Sequence, residues 1–499
     1  MIKMTRQIRL LGSILAILAI PMLPAMAQDD IDDLFGELDK IEVSADSLAG
    51  KTVLSQLKTN AGGKLTIRGQ HFLKDPETIL NREVSKNPDL VESRLDMSTW
   101  TGGSSWRFSV AGWLDGGNEK RIWRGYTGFN DFLQNESNYR HHIELNECYL
   151  RLYRSKFDLT AGKMIFKNGV CPIYSPADRY GPADFNDPIE SRELGTWLGQ
   201  VDLFVKNTTI TGIVFPVYQT TRIPGQRSRW MSTVEYGYDP DKERIPIAMR
   251  EVIPEEEMPP VTADNMGYLV RLKTTFSGWD VFASGFYGLN SQDVYRGVEK
   301  TVKIPTPDVW SYVDVKTYDA TSELVKVGHG AAGFATTYKK LEFHGEGVYN
   351  HTFKSKDDNF VSYVTGFSYN FGDIVRKLRL NGLRFYLDYA GEHVTKEQSA
   401  KGYVISSRNA RFGGKDFLIG ENDMIAYLAV TVNDDLGFHL ISLKQLSKNG
   451  HYNRIMGSYN INDSMTCSLA CDMFNGSENS FIGRWSSNDR VTVLFEYHL

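Results

Sequence analysis

Paired amphipathic runs, joined by connections that alternate between very short and very long, constrain this chain more than any single motif does. The pattern is clearest between Ile143 and Pro224. There IELNECYLRLYR meets FDLTAGKMIF at Ser155-Lys156, and WLGQVDLFV meets TTITGIVFPV at Lys206-Asn207. Two-residue connections between alternating runs signal antiparallel hairpins. Between the hairpins lies KNGVCPIYSPADRYGPADFNDPIESREL, a long loop rich in Pro, Gly and Asp. The repeating unit is a tight turn at one end and a long loop at the other.

The same unit predicts about eighteen strands. They fall near 64–73, 92–100, 105–114, 144–154, 157–166, 196–205, 208–217, 266–276, 280–289, 329–338, 341–349, 361–371, 382–391, 423–431, 436–446, 451–460, 464–474 and 489–499. Each is near the roughly 9–11 residues that a tilted strand needs to cross a bilayer. In MGYLVRLKTTF, Met266, Tyr268, Val270, Leu272 and Phe276 oppose Arg271, Lys273 and Thr275. Odd-numbered connections are mostly long and even-numbered ones mostly short. Gly372–Asn381 is long for a turn, and Ser447–Gly450 is short for a loop. Loop lengths segregated in this way are expected of a barrel spanning the outer membrane, with the turns and both termini in the periplasm. The expected fold class is all-β: a transmembrane, antiparallel, up-and-down β-barrel of about sixteen to eighteen strands, with long extracellular loops and short periplasmic turns. A barrel this wide encloses an aqueous channel unless something fills it. The fillers available are loop 167–195, the acidic, Pro-rich segment 239–264 and the N-terminal segment.

The two ends fit that reading. Lys3, Arg6 and Arg9 precede the apolar run LLGSILAILAIPML and an A-x-A site at Ala25–Ala27, so residues 1–27 read as an export signal. Residues 28–62 read as an acidic periplasmic segment, either disordered or a short helix carrying Ile31, Leu34, Phe35 and Leu38, and residues 63–499 as the barrel. The closing RVTVLFEYHL sets Val491, Val493, Phe495, Tyr497 and Leu499 on one face. It resembles the C-terminal signal of Gram-negative outer-membrane barrels, with Leu499 in place of the usual terminal Phe, and that resemblance implies the barrel-assembly machinery as a partner. Mean hydropathy of −0.34 suits strands that alternate lipid-facing and lumen-facing residues. The 25 Tyr and 26 Phe suit aromatic girdles. A net charge of −5 argues against a nucleic-acid partner.

The stretch ELNECYLRLYR, LTAGKMIFKNGV, SPADRYGPADFNDPIESRELG and VFPVYQTTRIP resembles a family of proteobacterial outer-membrane barrels of unknown function, over about 85 residues. Cys148 stands where that family usually has Ala, and Asn168 where it usually has Trp. Members often accompany exporters of hydrophobic compounds, so the resemblance implies passage of small or amphipathic molecules.

The residues themselves suggest a constriction. Pro172, Pro176, Pro182 and Pro188 stiffen loop 167–195, which can then fold into the lumen. Its charges, Asp178, Arg179, Asp184, Asp187, Glu190, Arg192 and Glu193, would set ion selectivity there, or would only cap turns on the outer surface. Parity assigns Arg271, Lys273, Glu342, His344, Glu346, Arg384 and Asp388 to the lumen. Parity also groups Cys148 with Glu144 and Asn146, so a Cys148–Cys171 disulfide would pin the loop to the wall. Cys467 and Cys471 lie ~13 Å apart along one strand and cannot pair. His141-His142 reads as an exposed loop tip, and no metal or cofactor motif stands out. G-x-S-x-G, H-E-x-x-H and P-loop motifs are absent from the sequence. The expected function is a porin-like outer-membrane channel for small solutes, in a monomer or homotrimer surrounded by outer-membrane lipid. The alternatives are an outer-membrane enzyme acting on lipid or polysaccharide, and a structural barrel docking a partner protein.

Overall fold

The computed structural model describes residues 58–76, 86–118, 123–124, 140–178, 181–222, 224, 228–230, 235–238, 244–247, 259–291, 294–305, 312–398, 403–405, 422–447, 449–477, 480 and 482–499. The expected export signal and most of the expected N-terminal segment, residues 1–57, lie outside them.

Eighteen strands form one antiparallel sheet that closes on itself. They are β1 (Lys58–Phe72), β2 (Asp89–Gly102), β3 (Trp106–Gly117), β4 (Ile143–Tyr153), β5 (Phe157–Met164) and β6 (Thr196–Val205). Next come β7 (Thr208–Phe215), β8 (Gly267–Phe276), β9 (Trp279–Leu289), β10 (Lys326–Tyr338), β11 (Leu341–Thr352) and β12 (Asn359–Asn370). The last six are β13 (Gly382–Lys396), β14 (Asn422–Thr431), β15 (Leu436–Gln445), β16 (Gly450–Asn462), β17 (Met465–Gly476) and β18 (Arg490–His498). Each strand pairs with its neighbours in sequence. The seam joins β1 to β18 in a continuous register from Lys64↔His498 to Phe72↔Arg490. Leu499 N–H donates to Gly63 O at 2.9 Å, so the ladder runs to the last residue.

Short turns gather at one end and long loops at the other. The two-residue connections Lys206-Asn207, Ser277-Gly278 and Lys339-Lys340 place Lys206, Ser277 and Lys339 at φ of 55°, 48° and 59°. Those left-handed values match the twist of the flanking strands, as tight hairpins require. The long turn-end connection carries a short helix, Gly372–Leu378. The short loop-end connection is a tight turn between β15 and β16, closed by Gln445↔Gly450. In the loop after β9, Val294–Pro305 and Tyr312–Glu323 pair as a long hairpin, joined at its edge by Tyr403–Ile405. β1 begins at Lys58, inside the stretch assigned from sequence to the N-terminal segment. KTNAGG has no apolar alternation to reveal it, and pairing with β2 from Lys58↔Gly102 onward is what makes it a strand.

Alternation sorts the side chains by face. Val201, Val214, Val270, Leu272, Phe343, Tyr349, Ile455, Leu469 and Val493 are exposed on the outer face. Buried groups on the inner face include Gln70, Asp115, Thr211, His344, Asp388, Asp472 and Arg490. The polarity is that of a membrane barrel, with the core inside the cylinder.

The lumen is filled unevenly. Cys171 and Tyr174, from the loop after β5, pack against Val364, Ala390, Ile425, Leu443, Tyr452 and Phe474, which come from β12 to β17 in turn. Trp230 caps this core edge-on to Phe72 and Phe474, at ring separations of 6.3 Å and 5.8 Å. Trp485 Nε1 donates to Trp230 O at 3.2 Å. On the opposite wall, Leu198, Ile213, Phe215 and Leu269 form a separate apolar strip, flanked by Met164, Phe166 and Phe286.

The outer face gives a direct test. Leu272→Arg, at mid-height on β8, should lower folding stability in lipid vesicles by about 2–4 kcal/mol, whereas Leu272→Ala should cost much less. Urea-dependent folding into vesicles measures both. Equal tolerance of Arg and Ala would place that face away from lipid.

Candidate functional site

The loop between β5 and β6 turns into the barrel because its backbone amides find carboxylates there. Asp178 Oδ1 accepts from the N–H groups of Asn168 and Gly169 at 2.5 Å and 3.0 Å. From the wall, Glu346 on β11 accepts from Val170 N–H at 3.0 Å, Ala177 N–H at 2.6 Å and Ser175 Oγ at 2.8 Å. Gly169 is fitted to this cradle: a Cβ there would lie 1.9 Å from Ser175 Oγ and 2.7 Å from a Glu346 oxygen. Farther along, Asp187 caps a short 3₁₀ turn, Pro188–Glu190, by accepting from Ile189 N–H at 3.2 Å.

Ion pairs then bind the loop to the wall. Asp187 Oδ2 receives Arg490 Nη1 of β18 at 2.7 Å and Gln70 Nε2 of β1 at 3.0 Å, with Arg68 3.7 Å away. Arg490 also donates to Asp472 of β17 at 2.8 Å. Glu190 accepts from Arg454 of β16 at 2.6 Å. Asp184 sits 3.4 Å from Arg140, which also meets Asp115 at 2.7 Å and Glu92 at 3.4 Å. Arg222, arriving from the loop after β7, pairs with Glu144, which also holds Lys163 at 3.0 Å. Short antiparallel pairing of Ala183-Asp184 with Arg192-Glu193, and a bridge from Asp184 to Arg222, complete the frame.

Burial alone would raise the Asp187 carboxyl, but Arg490 and Arg68 outweigh it and hold the group below the usual carboxylate range. Asp184 is lowered in the same sense, with Arg140 and Arg222 overcoming its burial. Cys171 is raised well above an ordinary thiol, by burial first and then by Glu346 and Asp388.

Beside the clamped loop an open cavity of about 1070 Å³ remains. Its lining runs from Tyr218, Gln219 and Ser291 at the loop end to Gly62, Lys64 and Ser98, farther toward the turns. One side is apolar, with Phe166, Phe215, Phe286 and Leu289, and the other carries ion pairs. Arg192 of the loop meets Asp96 of β2 at 2.5 Å and 3.3 Å, and Lys167 meets Glu193 at 2.9 Å.

The structure divides the residues singled out from sequence. Asp178, Arg192 and Glu193 border the cavity, whereas Asp184 and Asp187 are turned into the wall and neutralised there. Glu190 is drawn to Arg454. Arg179 lies outside the described residues. On the wall, Arg271 donates to Lys167 O at 2.9 Å, Arg384 pairs with Glu342 at 2.8 Å, and Lys273 is exposed. His344 and Asp388 pair at 2.9 Å, both fully buried, and Glu346 serves as the loop anchor described above.

Two sequence expectations are corrected. Cys148 and Cys171 are both free thiols. Asn146 is skipped in the β3–β4 pairing, with Ala111↔Glu147 followed by Gly112↔Leu145. The bulge reverses parity, so Glu147 and Arg151 line lumenal cavities and Cys148 takes the opposite face. His141 is no exposed loop tip: it is 1 % exposed, beside Arg140 in the ion network. Arg68, Arg140, Arg222, Arg454 and Arg490 carry no local signal in the sequence that names a partner, since each is one polar residue among many. Their partners lie up to 303 positions away.

No family model matches this chain, and no curated protein does. Among solved structures it is similar to Pseudomonas aeruginosa OccK11 (OpdR), at 10 % identity and a TM-score of 0.46, over 88 % of this chain and 96 % of that one. It is similar to Pseudomonas aeruginosa OccD3 (OpdP) at the same identity and score, over 88 % and 91 %. A triple mutant of the Rhodopseudomonas blastica porin is more distant, at 8 % identity and a TM-score of 0.37, over 89 % and 100 %. Likenesses this loose carry no information on solute or partner.

Removing Asp187 leaves Arg490 buried beside an unfilled contact, so Asp187→Ala should cost about 3 kcal/mol in urea unfolding. The half-exposed Glu190→Ala should cost much less. Because the folded-state values of Asp184 and Asp187 are depressed, their contribution is complete above about pH 4, the unfolded carboxylate range. It fades as pH falls below that through the folded values. Urea midpoints of wild type and Asp187→Ala should therefore converge in strong acid, and a gap that persists there would exclude the ionic clamp.

Proposed function

We propose that this chain is an outer-membrane channel through which small solutes pass beside a loop clamped inside the barrel. The observation that carries the reading is the 1070 Å³ cavity. It borders residues from the loop end to well below mid-height, in a cylinder whose outer face suits lipid and whose other half is a dry core. Long loops then face the exterior and short turns the periplasm, as the loop-length pattern implies. The clamped loop narrows the opening, and Arg192, Asp96, Lys167 and Glu193 act on solutes as charged wall groups. Association with an exporter, implied by the sequence resemblance, would make small amphipathic molecules the cargo. A monomer or homotrimer satisfies the same geometry.

The most enzyme-like pair among the described residues, His344 with Asp388, is sealed from solvent with no exposed side-chain area. That burial favours a structural role for the pair.

Planar-bilayer recording tests the proposal. The purified protein should give discrete, long-lived conductance steps. Replacing the pair that joins loop to wall across the cavity edge, as Asp96→Ser with Arg192→Ser, should raise the unit conductance. A folded protein that never conducts would contradict the channel reading.

A further inference from the structure

The turn end of the barrel is charged unequally around its rim. The connections β4–β5, β6–β7, β10–β11 and β12–β13 expose Arg154, Lys156, Lys206, Lys339, Lys377 and Arg379. Among the described residues, none of the six forms an ion pair. The same connections contain one acid, Asp373. The other charged turns have the opposite sign, with Asp434 and Asp435 between β14 and β15 and Asp463 between β16 and β17. Three of the cations also stand where the backbone would favour other residues. Lys206, Lys339 and Arg379 have φ of 55°, 59° and 56°, a left-handed conformation that ordinarily selects Gly, Asn or Asp in a tight turn. Local turn geometry therefore does not account for the positive charge.

An apolar girdle lies against this arc on the outer wall. Val205, Phe276, Trp279 and Tyr338 are all exposed there, at the turn ends of their strands. Phe276 faces Trp279 across the β8–β9 turn, and the Trp279 ring packs 5.6 Å from Phe334. Lys339 Nζ lies 5.3 Å from the Tyr338 ring, which sets an ammonium directly beside the girdle. Aromatic belts mark the depth at which hydrocarbon gives way to head groups. Cations at that depth meet lipid phosphates, and anionic lipids attract them most strongly. The charges are spread from β4 to β13 rather than gathered on one face. Separate small head groups fit that spacing, whereas one folded acidic partner needs a compact patch.

We infer that the turn-end rim from β4 to β13 binds anionic phospholipids, with head groups at the six cations and acyl chains against the aromatic girdle. The acidic turns between β14 and β17 leave the rest of the rim without that preference. The orientation proposed above makes this the periplasmic leaflet, but the binding depends neither on orientation nor on conduction.

Native mass spectrometry of the detergent-folded protein, supplied with dioleoylphosphatidylglycerol or dioleoylphosphatidylcholine, counts the lipids each form retains. Wild type should retain at least threefold more phosphatidylglycerol than phosphatidylcholine. Replacing all six cations by Gln should abolish the preference. Lys206→Gln with Lys339→Gln, a milder change at two exposed turns, should at least halve it and keeps the test open if the sixfold variant does not fold. Asp434→Asn with Asp463→Asn should not reduce the preference. Lys444→Gln, an exposed lysine at the loop end of β15, should leave it unchanged. Equal retention of the two lipids by wild type, or a preference that survives in the folded double variant, would overturn the inference. A preference lost in Lys444→Gln would place the lipid at the loop end and overturn it as well.

Discussion

A backbone in hydrocarbon has no water to satisfy its amides, and the β1–β18 seam is where this chain meets that constraint. Seventeen of the strand pairings join strands adjacent in sequence, and each could form locally. The eighteenth unites residues more than four hundred positions apart, from Lys64↔His498 to Phe72↔Arg490. Without it the sheet would present two open edges to lipid, each bare amide or carbonyl costing several kcal/mol. Closure also fixes the diameter, and the diameter creates the interior that has to be organised.

That interior is organised asymmetrically. On the side of β12 to β18 the inner residues are large enough to close over Cys171, Tyr174, Trp230 and Trp485 as a dry core. On the side of β2 to β9 the same loop presents a charged margin and leaves space. The loop holds its position by two different means. Glu346 and Asp178 satisfy its backbone, and the arginines of β1, β16 and β18 neutralise its acids. Neither alone would suffice, because a buried loop with open amides or unpaired carboxylates is strongly disfavoured. Together they turn a flexible connection into part of the wall, and the passage takes its shape from what they leave unfilled.

The strands were legible in the sequence because their period is two and their outer face must suit lipid. In MGYLVRLKTTF that pattern is unbroken, and β8 lies within one residue of its expected bounds. Lys58–Gly63 was not legible, since its place in β1 depends on pairing and on no pattern of its own. The inward turn of the loop could be anticipated from its prolines and aspartates, but its partners could not. Asp187 and Arg490 are far apart in sequence, and no local spacing links them. Parity failed at Asn146 for an equally physical reason: one extra residue in a bulge transfers every later side chain to the other face. Cys148 therefore faces away from the lumen, opposite to the side that parity with Glu144 predicts.

The passage owes its shape to a loop that stays clamped within an otherwise wide cylinder. Single-channel conductance in the presence of neutral polymers of graded size measures the free bore directly. The clamped loop predicts a sharp exclusion limit well below that of an empty eighteen-stranded barrel, shifting to larger polymers in Asp187→Ala. Free entry of large polymers into the wild-type channel would contradict it.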